Sequence, residues 1–182
     1  MVRQFFILLI FAINFVCATV CVAQTNYYKV DKTFNENGYT YQCDVNEKSQ
    51  TVLLYNAENK FTYVDQIVKS TGKPIPIDDN KASFENDNWT KDRCHTIVKK
   101  AFSTEEKNRL QGNEFIVGLC ISPETGKIIE VDFNFVTFNS FATIPVSVYR
   151  QIEVQLKENV WFVPTEYGKN LNFIYLFIPY EF

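Results

Sequence analysis

From Lys127 to Val136 the chain alternates strictly, with Ile129, Val131, Phe133 and Phe135 set between Glu130, Asp132 and Asn134. A period of two belongs to a β-strand; a helix, with its period of 3.6, would scatter these apolar residues around its surface. Just upstream, Pro123-Glu124-Thr125-Gly126 forms a turn signal with Gly126 where positive φ is tolerated, and Phe115 to Ser122 is another β-rich run. The two arms predict an antiparallel hairpin whose second arm turns one apolar face to a core and one polar face to solvent.

Further elements follow the hairpin. Pro145 suits the first turn of a helix in which Val148, Ile152 and Leu156 form the apolar row and Glu153 pairs with Lys157 at i+4. Asn170 to Tyr180 reads as a strand that is apolar on both faces, so both faces are expected to be covered. Upstream, Tyr39 to Val45, Thr51 to Tyr55 and Phe61 to Val68 predict an antiparallel meander. A Pro- and Asp-rich loop comes after Gly72. Cys94, Ile97, Val98, Ala101 and Phe102 make a helical stripe, with Thr90 or Asp92 as its cap, and Ser103 to Glu106 matches a capping box with Gly112 at the far end. The fold class is α+β. Residues 24–90 hold the meander and loop, 91–112 the helices, and 113–182 a hairpin, helix and strand that extend the same sheet.

The residues Ile121-Ser122-Pro123-Glu124-Thr125-Gly126-Lys127, Trp161-Phe162-Val163-Pro164, Gly168-Lys169 and Ile178-Pro179-Tyr180-Glu181-Phe182 give the last seventy residues a pattern that resembles the C-terminal domain of TonB-like energy transducers. The Pro-rich stretch with which those transducers cross the periplasm is missing. Over residues 24–182 the chain is more similar to small uncharacterised exported proteins of gut Bacteroidales, a family without an assigned function. The resemblance implies a sheet with a usable edge, where related domains receive an extended peptide strand by main-chain hydrogen bonding.

Residues 1–23 read as a signal peptide: Arg3 precedes an apolar run from Phe5 to Val22, and Cys21-Val22-Ala23 is a small-residue cleavage site that leaves Gln24 first. A retained anchor or a lipid-modified Cys17 or Cys21 are the alternatives. After cleavage no other window is long and apolar enough to span a bilayer, so an exported protein in the periplasm, cell envelope or extracellular space is expected. Removal of Arg3 leaves 17 basic against 21 acidic residues, with no run of five like charges, which disfavours nucleic acid and anionic membrane surfaces as partners.

Chemistry-bearing residues are few. Cys43, Cys94 and Cys120 are an odd number at wide spacing, so one disulfide at most can form among them, and burial as small apolar residues is the simpler reading. With His95 as the single histidine and no C-x-x-C pair, neither metal nor cofactor is expected. Cys94 and His95 are neighbours, which on a helix directs them about 100° apart, a poor start for a thiol catalyst. Asp78, Asp79, Glu85 and Asp87 lie together in the loop, and Glu130 and Asp132 on the polar hairpin face. Phe138 and Phe141, between strand and helix, are the candidate partner-binding aromatics. A non-enzymatic binding or assembly module is therefore expected, taking a protein or peptide partner through a sheet edge or an aromatic surface. The alternatives are a hydrolase using loop carboxylates and a structural protein of the cell envelope.

Overall fold

The computed structural model describes residues 25–76, 81–87 and 89–182. The expected signal peptide, Asp78 and Asp79 lie outside them. Strands β1 (Lys32–Glu36), β2 (Tyr39–Asn46), β3 (Thr51–Asn56), β6 (Glu114–Ile121), β7 (Ile128–Val136) and β8 (Ile174–Glu181) form one antiparallel sheet in the order β1-β2-β3-β7-β6-β8. The short strands β4 (Ile67–Val68) and β5 (Lys73–Pro74) pair with each other. Helices α1 (Thr90–Ala101) and α3 (Val146–Asn159) pack side by side on one face of the sheet, with α2 (Thr104–Leu110) and α4 (Glu166–Lys169) as shorter pieces. The fold is α+β, and pairing of β3 with β7 joins the N-terminal meander to the C-terminal hairpin.

The meander differs from its predicted form. Its first hairpin is β1-β2, closed by Asn37 and Gly38 at φ 48° and 82°, the positive values a two-residue hairpin turn needs. Phe61 to Val68 is not a strand apart from its last two residues. The Glu130 carboxylate accepts the backbone N–H groups of Lys60 and Phe61 at 2.6 and 3.0 Å, and Val64 N–H turns back to the Phe61 carbonyl, so these groups bind within a loop and not in a ladder. In the helical middle, the side chain serving the start of α1 is that of Asp87, which accepts from Trp89 and Thr90 N–H; Thr90 and Asp92 do not cap it. Ser103 and Glu106 form the expected capping box, and Pro145 sits at the N-cap of α3.

The core lies between the helices and the inner sheet face. Tyr149 of α3 meets Phe133, Phe135 and Tyr28 at ring separations of 4.9, 5.5 and 5.9 Å, and its hydroxyl donates to the Phe141 carbonyl at 2.9 Å. Burial of each such ring contributes about 2–3 kcal/mol. Glu153, on the same helix, is fully buried: Tyr41 donates its hydroxyl to it, Arg150 and Lys157 approach at 3.2 and 3.3 Å, and Asn56 at 3.4 Å. The predicted Glu153–Lys157 pair is thus part of a buried network. Among the described residues no helix is long and apolar enough to cross a membrane.

Candidate functional site

The face of the sheet turned away from α1 and α3 carries the polar residues of β7. Solvent was expected there. Instead Glu130 and Asp132 are only 9% and 5% exposed, because the chain between β3 and β5 folds over that end of the sheet. The Phe61 ring packs tilted against Phe173 at 4.8 Å, Asn59 donates to the Val131 carbonyl at 3.1 Å, and Gln66 donates to the Phe173 carbonyl at 2.8 Å. Both Glu130 oxygens are occupied by the Lys60 and Phe61 N–H groups, which makes this carboxylate the clasp of the covering loop.

Asp132 is held differently. Gly118 is its cross-strand partner on β6, and a Cβ placed on Gly118 would run into the Asp132 carboxylate and the Tyr175 hydroxyl. The missing side chain therefore makes room for this pair to lie flat on the sheet. Tyr175, from β8, donates to one Asp132 oxygen, and Asn134 Nδ2 donates to the other at 2.9 Å. Burial raises the Asp132 carboxyl above its ordinary range; the Tyr175 and Asn134 hydrogen bonds oppose the shift, and the neighbouring Glu130 adds to it.

Around this pair is a cavity of about 370 Å³ whose walls are Phe61, Phe173, Tyr175 and Phe177 together with Asp65, Thr62, Gln66 and Asn134. Phe177, on the edge strand β8, is 60% exposed, so the expectation that both faces of the last strand are covered fails at this residue. Asn134 also lines a second cavity of about 430 Å³ with Ile116, Val136 and Asn139. On β2, the Asp44 carboxyl lies below its ordinary range: partial burial works against this, but hydrogen bonds from Tyr63, Gln42 and Tyr55 prevail.

The residues singled out in the sequence are scattered. Phe138 is 77% exposed, whereas Phe141 is fully buried against Phe115 at 4.3 Å and is a core residue, not a partner-binding one. Cys43, Cys94 and Cys120 are buried free thiols, so the possible disulfide is not formed. Burial pushes the Cys43 and Cys94 thiols up to about 12, the opposite of an activated thiolate. His95 packs on the Tyr180 ring at 4.7 Å. Among the described residues no group of three or more potential ligands converges on a metal position. Sequence reading missed Tyr175, Thr62 and Gly118, although a glycine inside an apolar strand marks close approach of another group.

The family model described as Domain of unknown function (DUF5043) matches residues 24–178. The chain belongs to the DUF5043 family. A DUF5043 family protein from Bacteroides uniformis ATCC 8492, with a crystal structure at 1.85 Å resolution, is 42% identical to it. The two superpose with a TM-score of 0.83 over 86% of this chain and 88% of that one. No curated protein matches. The DUF5043 match spans both the N-terminal meander and the C-terminal hairpin, helix and strand, in keeping with the single sheet that unites them.

Proposed function

We propose that this DUF5043 protein is an exported, non-enzymatic binding module that takes a protein or peptide partner on the outer face of its sheet, around Phe177 and the Asp132 cavity. The observation that carries this reading is Phe177: a large apolar ring, 60% exposed, on an edge strand at the mouth of a cavity. An exposed aromatic beside convergent polar groups is the chemistry of a recognition surface. An extended segment can also add to β8, which among the described residues pairs with β6 and no other strand. Pro179 lacks an N–H and shortens the ladder that edge offers, a feature that limits promiscuous pairing. Export is supported by the apolar run from Phe5 to Val22 and by a family match that starts at residue 24, where cleavage after Ala23 would leave the chain.

A hydrolase working through carboxylates needs two of them free to face each other across a substrate. Asp87 is engaged at the start of α1 and Glu130 clasps the loop; in the cavity that Asp132 shares with Asp65, both Asp132 oxygens already accept bonds from Tyr175 and Asn134, so none of these three is a free carboxylate. Affinity capture from the native envelope fraction tests the binding reading. The wild-type protein should recover a partner that Phe177→Asp loses at unchanged stability. Equal recovery by both proteins, or turnover of a hydrolase substrate that depends on Asp132, would overturn it.

A further inference from the structure

The cavity over Asp132 is asymmetric in charge. Its lining contributes two carboxylates, Asp65 and Asp132, and four aromatic rings, with no lysine or arginine among the described lining residues. Asp132 is 5% exposed and receives only neutral donors, the Tyr175 hydroxyl and the Asn134 amide. A carboxylate this deeply buried ordinarily has a cation beside it, as Glu153 has in Arg150 and Lys157 on the opposite side of the sheet. Thr62 is also among the residues lining the cavity, and its hydroxyl oxygen is buried without a hydrogen-bond partner. A buried polar atom left unpaired costs free energy until something supplies the missing bond.

An incoming group that answers the charge and the rings of this cavity must be cationic, must carry N–H donors for its carboxylates, and must bring an apolar stem to lie against rings. An ammonium on a methylene chain does so: N–H donors for the Asp132 and Asp65 carboxylates, and a stem to pack between the rings. A guanidinium suits less well, since its planar fork is best matched by a carboxylate free to accept two parallel bonds, and both Asp132 oxygens already accept bonds. We propose that this cavity is a receptor for a primary ammonium group on an alkyl chain, carried by a lysine side chain of the partner or by a free alkylamine. The proposal rests on the reading of the outer face as a binding surface. The titratable groups around Asp132 are Glu130 on its own strand, Cys120 on β6, Tyr175 on β8, Tyr55 opposite it on β3 and Asp65 from the covering loop; the thiol and the two phenols are neutral, so the charge there is that of carboxylates alone, which favours a cation.

Calorimetric titration of the full protein tests it with three probes: n-butylammonium, Nα-acetyl-lysine-N-methylamide and the neutral Nα-acetyl-norleucine-N-methylamide. Saturable binding of the two amines, at least tenfold tighter than norleucine, is expected, and it should strengthen as pH rises through the titration of Asp132. Asp132→Asn should weaken both amines more than tenfold. Should that variant fold poorly, Asp65→Asn, at an exposed position, should weaken them about threefold. Preference for the lysine derivative over butylammonium assigns the ammonium to a peptide side chain; equal affinity assigns it to a free amine. Norleucine binding as tightly as lysine would overturn the ammonium assignment yet leave the outer face a binding surface. Failure of all three probes would also overturn it, and the binding reading would fall as well only if Phe177→Asp captured the same partners as wild type.

Discussion

Tyr175 and Asp132, from strands β8 and β7, meet above Gly118 of the strand between them, and the absence of a side chain on that glycine is what lets the pair lie on the sheet. The same pair forms the floor of the cavity, so sheet packing and the proposed site depend on one backbone position.

Substitution at glycines separates side-chain crowding from backbone crowding. Gly118→Ala meets the ends of two side chains, and overpacking of this kind costs about 1–3 kcal/mol. Gly126→Ala meets the Phe162 carbonyl and also imposes φ of +69° on a residue with a Cβ, so its cost should be larger, about 2–4 kcal/mol. Urea denaturation of both variants checks the order. A smaller loss at Gly126 would show that the hairpin turn relaxes away from the segment after α3.

Two carboxylates should give opposite pH profiles. Asp132 has a raised folded pKa, so above the unfolded value of about 4 the native state keeps a proton that the unfolded chain has released, and stability falls as pH rises through that window. Asp44 has a lowered folded pKa; its contribution is present above about pH 4 and is lost as pH falls through the folded value. Denaturation from acid to neutral pH should therefore show Asp132→Asn gaining on wild type as pH rises, and Asp44→Asn losing ground to it. Parallel profiles for the two variants would contradict these environments.

The buried network at Glu153 predicts an unequal pair of losses. Glu153→Ala removes the partner of Arg150 and Lys157, whose side chains are partly solvent-exposed, and deprives the buried Tyr41 hydroxyl of its acceptor, for a loss of about 2–4 kcal/mol. Tyr41→Phe removes one donor and leaves the carboxylate its cations, for about 1–3 kcal/mol. Chemical denaturation of each variant gives the comparison. A near-neutral Glu153→Ala would mean that water replaces the network.

What the sequence could show was set by periodicity. The alternation of β7 and the stripe of α1 locate themselves, because each repeat fits one kind of element. Burial of the polar β7 face was not legible, since it depends on a loop held by the Glu130 carboxylate some seventy residues away in the chain. The same loop misleads at Phe61 to Val68, where β-prone residues lose their ladder to a side-chain acceptor. Asn37-Gly38 was a readable hairpin signal that locates β1, a strand with little apolar content to announce it. At the site, Gly118 was a visible hint, while the exposure of Phe177 follows only from the place of β8 at the sheet edge.

Photo-crosslinking in the native cell, with a photoreactive phenylalanine analogue at position 177 and a control at the exposed Lys99 of α1, tests the outer-face site most directly. Binding there predicts a discrete adduct from position 177 that is absent from position 99. No adduct from 177, or the same adducts from both positions, would contradict it.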